Sequence, residues 1–316
     1  MIGIVGAGAF GTALAVTLAR AGHEVRLWGR DAAAMTAART VRAVPRLPDV
    51  PLSDGIMPTG DAADLSDCGT ILLSVPMQSL ATTLPALGLR PAHAVAACKG
   101  VDLTTLEGPT RVIARFWPDA TPAILSGPSF AADIARGLPT ALSLGCADAS
   151  VGGRLQAALS TPTLRLYRTT DVAGVELGGA LKNVVAIACG AAIGAGLGES
   201  ARAALMTRGM AEIMRLATAL GARRETLMGL SGLGDLALTC ASPASRNFAL
   251  GHALGRGETP PDATTEGTAT AEAALRLGAT HGVELPVTAA TVGLVAGRLG
   301  VEDAVRALLE RDLTTE

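Results

Sequence analysis

The sequence predicts an α/β domain followed by an all-α domain. Short β-rich runs alternate with helical stretches from Ile2 to about Gly145, as expected for parallel strands joined by helical crossovers. The first run ends in a glycine-rich turn, Gly6-Ala7-Gly8-Ala9-Phe10-Gly11. From about Asp171 onward, long stretches of Ala, Leu, Gly and Met replace the strand-like runs. We therefore expect one domain over residues 1–170 and another over residues 171–316.

The glycine-rich turn lies between a strand and a helix. It follows Ile2–Val5 and opens the helical stretch Thr12–Arg20, after which a second strand begins. Its glycines, Gly6, Gly8 and Gly11, have the spacing G-x-G-x-x-G. In a βαβ unit such glycines allow a tight turn and a close approach of the backbone to a pyrophosphate at the helix N-terminus. The sequence therefore predicts a Rossmann-like, doubly wound sheet that binds a dinucleotide.

The residues after the second strand bear on the choice of cofactor. NAD-selective folds carry an Asp or Glu roughly 20 residues beyond the glycines, but here Trp28 is followed by Gly29 and Arg30. Because an arginine can bind a 2′-phosphate, we predict that NADP is the preferred cofactor and that NAD is the alternative cofactor. The alternative is that Arg30 is a solvated loop residue and that Asp31 accepts hydrogen bonds from the ribose hydroxyls.

Four further apolar runs complete the predicted sheet, at residues 70–76, 94–100, 123–128 and 141–145. Near-continuous apolar strands are typical of a parallel sheet covered on both faces. Ligands in such sheets lie beyond the carboxyl ends of the strands, so Lys99 and the loop at residues 126–131 are expected to face the site. The alternative for Lys99 is a surface lysine at a strand end.

A lysine and an asparagine, Lys182-Asn183, interrupt an otherwise apolar stretch at residues 175–190. Removing an ammonium group from water is costly, and a lysine is almost never fully buried unless it is paired. A chain with no use for the amine would carry an apolar residue there, so Lys182 is a candidate for catalysis. The alternative is a lysine whose stem packs while its head reaches water.

Two polar clusters interrupt the helices of the second half. Asp235 lies among Gly and Leu in residues 231–240, where an unpaired carboxylate would be costly. Ser245 occupies an N-cap position, and Arg246 and Asn247 open the next helix; a helix N-terminus with an arginine is suited to an anion. The alternatives are a helix-capping Asp and an ordinary first-turn Arg.

Composition excludes several classes of function. Charged residues make up 17% of the chain and the formal net charge is −2, so there is no basic field for nucleic acid or an anionic membrane. A small-molecule partner is expected, and a homodimer is left open. The longest apolar run, Val184–Leu197, is shorter than the ~20 residues of a membrane span, and we interpret it as a buried helix.

Neither a metal site nor an export signal is indicated. The 5 cysteines and 4 histidines are scattered without metal-ligand spacing, so no metal is expected. Met1 leads directly into the first strand, which predicts no secretory signal and a cytoplasmic protein.

Together these segments resemble the NAD(P)-dependent glycerol-3-phosphate dehydrogenases of the bacterial type. The resemblance covers nearly the whole chain and is carried by residues 6–15, 27–30, 99–100, 126–131, 176–186, 207–209, 231–240, 245–247 and 266–267. It implies a two-domain enzyme that interconverts dihydroxyacetone phosphate and sn-glycerol 3-phosphate with NAD(P)H and supplies phospholipid synthesis.

The resemblance also implies roles for individual residues. Lys182 is similar to the proton-transferring lysine and Lys99 to a second lysine that contacts cofactor and substrate; Asp235 is the third expected catalytic residue. The expected cofactor contacts are Gly6, Gly8, Ala9, Phe10, Gly11, Arg30, Lys99, Ala131, Arg246 and Glu266. The expected substrate contacts are Lys99, Gly127, Ser129, Lys182, Asn183, Asp235, Thr239, Ser245, Arg246 and Asn247. The turn Gly198-Glu199-Ser200 replaces an Asn-containing turn of the family, so no polar contact is carried over to it.

Two other functions are compatible with the pattern. A ketopantoate or β-hydroxyacid dehydrogenase shares the layout and a catalytic lysine but takes a carboxylate substrate. A non-catalytic NADPH-sensing protein could use the same fold, although Lys182 and Asp235 would then have no purpose.

Overall fold

The structure, a computed structural model, describes residues 1–259 and 266–309. Its contacts define two compact units. The first unit contains Met1–Lys99 and Glu107–Glu176, and the second contains Gly100–Leu106 and the chain from Leu177 onward. The predicted boundary between residues 170 and 171 lies directly before a long helix that begins at Val172.

The first unit is built on an eight-stranded sheet with the order β3-β2-β1-β4-β5-β6-β7-β8. The strands are β1 (Ile2–Val5), β2 (Val25–Trp28), β3 (Ile56–Thr59), β4 (Thr70–Leu73), β5 (His93–Ala96), β6 (Thr121–Ser126), β7 (Thr140–Gly145) and β8 (Leu164–Thr169). Neighbouring strands are parallel except for β6 and β7. The strand order reverses at β1 and β4, which confirms the predicted doubly wound, Rossmann-like sheet.

Helices connect these strands. They are α1 (Ala9–Arg20), α2 (Ala32–Val41), α3 (Met77–Leu87), α4 (Pro109–Phe116), α5 (Ala131–Arg136) and α6 (Ala149–Leu159). The side chains of the strands are divided between two buried clusters. Ile4 and Leu72 belong to one cluster, whereas Val5 and Leu73 belong to the other. Because successive side chains of a strand point to opposite faces, both faces of the sheet are covered. This burial explains the near-continuous apolar runs in the sequence.

Two strands, β3 and β8, were not predicted from the sequence. β3 contains Pro58 and forms one end of the sheet, a position where a missing backbone donor is tolerated. β8 forms the other end, and its residues alternate at first between buried and exposed. Neither strand has the continuous apolar run by which the inner strands are identified.

The described part of the second unit is helical from Leu177 onward, which confirms the predicted all-α half. Its helices are α7 (Val172–Gly194, which begins in the first unit), α8 (Gly198–Ala219), α9 (Arg224–Leu227), α10 (Asp235–Cys240), α11 (Arg246–Gly255), α12 (Glu266–His281), α13 (Pro286–Val295) and α14 (Val301–Leu309). A single π-helical turn, Leu230–Gly234, precedes α10.

Helix α7 is long and apolar enough to cross a membrane by length and composition, but 89% of its most apolar window is buried inside the protein. It starts at Val172 rather than at Val184, where the apolar run of the sequence begins. Glycines on α7 and on α11 let the backbones of these two helices come very close. A Cβ atom at Gly190 would lie 2.1 Å from the carbonyl oxygen of Phe248, and one at Gly251 would lie 1.9 Å from that of Ile187. Packing of this kind is a property of a core helix.

Candidate active site

The glycine-rich turn has the geometry expected of a phosphate-binding loop. Gly6 has φ +112°, a conformation that L side chains rarely adopt, and a Cβ atom at Gly11 would lie 2.0 Å from the carbonyl oxygen of Gly6. A Cβ atom at Gly8 would meet no atom within 4 Å. Gly8 is the N-cap of α1, and no side chain caps this helix. The start of α1 therefore has no side-chain cap and has free space beside Gly8, as binding of a pyrophosphate requires.

Packing explains the glycine that follows β2. A Cβ atom at Gly29 would lie 2.5 Å from the sulfur of Met35, so a larger residue would require the buried Met35 side chain to move. Asp31 is the N-cap of α2, and its Oδ1 accepts a hydrogen bond of 3.0 Å from the amide of Ala34. Arg30 is exposed beside this cap. The structure therefore gives Asp31 a structural purpose and leaves Arg30 accessible to a ligand.

The loop after β6 lies against Lys99, as the strand ends predicted. The ammonium group of Lys99 donates to the carbonyl oxygen of Gly127 over 3.4 Å. The hydroxyl group of Ser129 donates to the same oxygen over 3.1 Å. Gly127 has φ +149°, and Ala131 begins α5. Three of the expected substrate contacts, Lys99, Gly127 and Ser129, are thus brought together within the first unit.

In the second unit, Lys182 belongs to a buried polar cluster. Lys182 is 6% exposed, Asp235 0% and Thr239 4%. The Nζ atom of Lys182 forms an ion pair with Oδ1 of Asp235 and donates to Oγ1 of Thr239 over 2.8 Å. Thr239 in turn donates to the carbonyl oxygen of Asp235 over 2.6 Å. The ammonium group therefore meets a carboxylate rather than water, and the reading of a solvated lysine head does not fit this geometry.

Local backbone features allow this cluster to form. A Cβ atom at Gly178, one turn before Lys182, would lie 2.7 Å from the carbonyl oxygen of Ser231. At Gly232 the corresponding distance, to the carbonyl oxygen of Leu227, would be 1.8 Å. Gly178 therefore lets the π-helical turn pack closely on α7, and Gly232 lets the same turn pack on the end of α9. Single π turns are frequent at functional sites. The turn places Asp235, the first residue of α10, beside Lys182.

The start of α11 has the features of an anion-binding site. Ser245 is its N-cap and accepts a hydrogen bond from the amide of Phe248 over 3.3 Å. Arg246 is exposed, whereas Asn247 is 8% exposed. The Oδ1 atom of Asn247 accepts from the amide of Gly267 over 3.1 Å. Since its oxygen is engaged, the Asn247 amide can offer its N–H₂ group to a ligand.

The N-terminus of α12 lies at the same place. A Cβ atom at Gly267 would lie 2.6 Å from Oδ1 of Asn247 and 2.9 Å from the carbonyl oxygen of Asn183. Glu266, an expected cofactor contact, is the adjacent residue and begins α12. Asn183, next to Lys182, is thereby close to the start of α11. The structure thus joins the candidate proton donor and the candidate phosphate site within one unit.

Two buried or partly buried charges in helical segments were missed as functional candidates. Glu176 accepts a hydrogen bond of 2.7 Å from the amide of Thr110, and burial raises its pKa to about 7. Arg202 donates to the carbonyl oxygen of Cys240 at the end of α10. For Glu176 the available signal was the one used for Lys182, a charge in an apolar stretch. Arg202 lies among alanines and polar residues, where an arginine is unremarkable.

Comparison with known proteins identifies the family. The model of the NAD-dependent glycerol-3-phosphate dehydrogenase N-terminus matches residues 1–152, and that of the C-terminus matches residues 171–306. The glycerol-3-phosphate dehydrogenase (NAD(P)+) of Paracoccus denitrificans is 55% identical over 318 residues, with 100% of this chain and 99% of the relative covered. The corresponding protein of Cereibacter sphaeroides is 56% identical over 319 residues, with 100% of both covered.

Solved structures agree with these matches. The crystal structure of glycerol-3-phosphate dehydrogenase from Coxiella burnetii superposes with a TM-score of 0.93 at 35% identity and covers 98% of both chains. A ketopantoate reductase from Ralstonia eutropha has a TM-score of 0.61 at 17% identity over 96% of this chain, a likeness of fold alone. On the family models and the full-length relatives, the chain belongs to the NAD-dependent glycerol-3-phosphate dehydrogenase family.

Proposed function

We propose that this protein reduces dihydroxyacetone phosphate to sn-glycerol 3-phosphate, and catalyses the reverse reaction, with NADPH preferred over NADH. The observation that carries the proposal is the buried cluster of Lys182, Asp235 and Thr239. Relatives that share more than half of its residues are named glycerol-3-phosphate dehydrogenase (NAD(P)+). The product would supply phospholipid synthesis.

The first unit provides the residues that would hold the cofactor. Gly6, Gly8 and Gly11 leave the start of α1 open to the pyrophosphate, and Arg30 is accessible to a 2′-phosphate. When bound, the reduced nicotinamide supplies the hydride for the carbonyl carbon. Ala9, Phe10, Lys99, Ala131, Arg246 and Glu266 remain proposed further contacts.

Lys182 is the proposed proton donor. As the carbonyl oxygen of the substrate becomes an alkoxide, the Nζ atom of Lys182 gives it a proton, and in the reverse direction the lysine amine takes that proton back. The positive charge of the ammonium group also stabilises the developing negative oxygen. Asp235 keeps the ammonium group oriented, and the Thr239 hydroxyl accepts one of its N–H bonds because its own proton is given to the carbonyl of Asp235. Lys99 is the proposed second positive charge at the substrate.

The phosphate group of the substrate is proposed to bind at the start of α11. Arg246 supplies charge, the Asn247 amide supplies an N–H₂ donor, and the helix N-terminus supplies backbone N–H groups. Binding energy at this remote group orients the reacting carbonyl. Gly127, Ser129, Asn183 and Ser245 remain proposed further contacts.

The test is an absorbance assay at the nicotinamide band with purified protein. Oxidation of NADPH should require dihydroxyacetone phosphate and should be far slower with ketopantoate or unphosphorylated dihydroxyacetone. Turnover of ketopantoate alone would replace the proposal by a carboxylate-specific dehydrogenase. Tight NADPH binding without turnover of either ketone would indicate a sensing protein. The cytoplasmic location and the homodimer stay predictions.

A further inference from the structure

Arg202 connects α8, on which it lies, with α7 and α10, the two helices that carry the candidate proton donor and its partners. It lies in the second turn of α8, and its side chain is 24% exposed. Its Nη1 atom donates to the carbonyl oxygen of Cys240 over 3.2 Å. Its own carbonyl oxygen accepts a contact of 3.7 Å from the Sγ atom of Cys189 on α7. One residue is therefore tied to α7, which carries Lys182, and to α10, which carries Asp235 and Thr239.

The residue that Arg202 holds is the last one of α10. The final carbonyl groups of a helix have no partner within the helix, and a basic side chain there is favourable. Helix α10 has only 6 residues, and a helix this short is not stable without external contacts. Its orientation therefore depends on what holds its ends. The π-helical turn holds the first end, and Arg202 holds the second.

Glu199 orients the guanidinium group. Its Oε2 atom pairs with Nε of Arg202 at 2.6 Å, one turn earlier on the same helix. Glu199 belongs to the turn Gly198-Glu199-Ser200, for which the family resemblance offered no role. The carboxylate leaves Nη1 directed at the carbonyl oxygen of Cys240. The turn in which this chain differs from the family therefore contains the carboxylate, that of Glu199, which orients the Arg202 side chain.

We propose that Arg202 is a positioning residue for the proton transfer. By fixing the C-terminal end of α10, it keeps the Thr239 hydroxyl and the Asp235 carboxylate in register with the Nζ atom of Lys182. The Thr239 residue is adjacent to Cys240, so fraying at Cys240 moves the hydroxyl group that accepts from Lys182. This inference rests on the proposed function, and the phosphate site on α11 is not part of it.

The variant that tests the proposal is Arg202→Met, which keeps the stem of the side chain and removes every donor. A misplacement of about 1 Å costs up to roughly 100-fold in rate, so we expect kcat for dihydroxyacetone phosphate to fall about 10–100-fold. The KM values for the ketone and for NADPH should stay within about twofold, since the proposed phosphate site on α11 and the glycine-rich turn are unchanged and the loss falls on the proton transfer. Arg202→Lys, which keeps the charge and one donor to Cys240, should recover part of kcat.

The matched control is Arg215→Met. Arg215 lies ~20 Å further along the same helix and also donates to a backbone carbonyl, that of Glu284, over 3.2 Å. This variant should keep the kcat of the parent. Thermal unfolding midpoints of all variants are measured first, and kinetics are recorded well below the lowest of them. If Arg202→Met does not fold, Arg202→Gln replaces it with the same expected split between kcat and KM.

Several results would overturn the proposal. One is a lower unfolding midpoint for Arg202→Met with the kcat of the parent. Another is a change confined to KM, and a third is an equal loss of kcat in Arg215→Met. A parent that does not oxidise NADPH with dihydroxyacetone phosphate would instead remove the proposed function. The two failures are therefore separable in one set of assays.

Discussion

Replacing Lys182 by Met should abolish most activity and also destabilise the protein, and the two effects can be separated. A general acid contributes about 10²–10⁴-fold to a rate, so kcat should fall by at least that factor. The Asp235 carboxylate is 0% exposed and paired with the Lys182 ammonium. Removing one partner of a buried pair leaves an uncompensated charge and costs about 3–5 kcal/mol of unfolding free energy.

The double variant Lys182→Met/Asp235→Asn is the control, because it removes both charges. Urea denaturation should show that it regains most of the lost stability, whereas kcat should remain as low as in the single variant. NADPH titration by fluorescence should give a similar dissociation constant in all three proteins, since the glycine-rich turn is untouched. Near-parent turnover in Lys182→Met would refute the assignment. Recovery of activity with stability in the double variant would show that the lysine serves folding only.

Three further outcomes are expected from the same structure. Arg246→Ala should reduce the preference for dihydroxyacetone phosphate over dihydroxyacetone by about 10–150-fold in kcat/KM, the equivalent of a charged hydrogen bond of ~1.5–3 kcal/mol; an unchanged preference would place the phosphate elsewhere. Arg30→Ala should weaken NADPH use by a similar factor and leave NADH use nearly unchanged, and a parent that uses NADH better would favour Asp31 as the ribose contact. Burial raises the pKa of Glu176 from 4.5 to about 7. The resulting contribution to the free energy of unfolding, about 3 kcal/mol in all, is therefore complete below pH 4.5 and is lost as the pH rises through 7. In urea denaturation, the free energy of unfolding of Glu176→Gln relative to that of the parent should therefore be higher at pH 8 than at pH 5. An equal difference at both pH values would contradict the raised pKa.

Two of the expected catalytic residues share a physical property that the sequence shows. Lys182 and Asp235 are charges placed among apolar neighbours, and burial of a charge needs a partner. The sequence therefore indicated that each was paired or functional. It could not show that they pair with one another, because 53 positions separate them and the contact depends on the π-helical turn. Nothing in the residues of that turn predicts a π-helix rather than an α-helix.

Local glycine patterns were informative to different extents. The spacing of Gly6, Gly8 and Gly11 predicted a specific turn because it is tied to a strand and a helix. The contact between α7 and α11 depends on Gly190 and Gly251, whose Cβ atoms would collide with backbone carbonyls. The sequence showed small residues in a packed helix but could not name the partner helix. The role of Arg202 was beyond sequence reasoning, because a half-buried arginine in a polar stretch is indistinguishable from a solvated one.

Substitutions of the buried candidate residues should have different experimental effects from substitutions of the exposed ones. Lys182, Asp235 and Thr239 are buried and hydrogen-bonded to one another, so a change there disturbs packing as well as chemistry. Arg30 and Arg246 are exposed, and exposed charges contribute about 0–1 kcal/mol to stability. Their variants should therefore alter KM and cofactor choice while the unfolding midpoint stays at the parent's value. A large drop of the thermal unfolding midpoint in Arg246→Ala would mean that this side chain stabilises the start of α11 rather than binding the phosphate of the substrate.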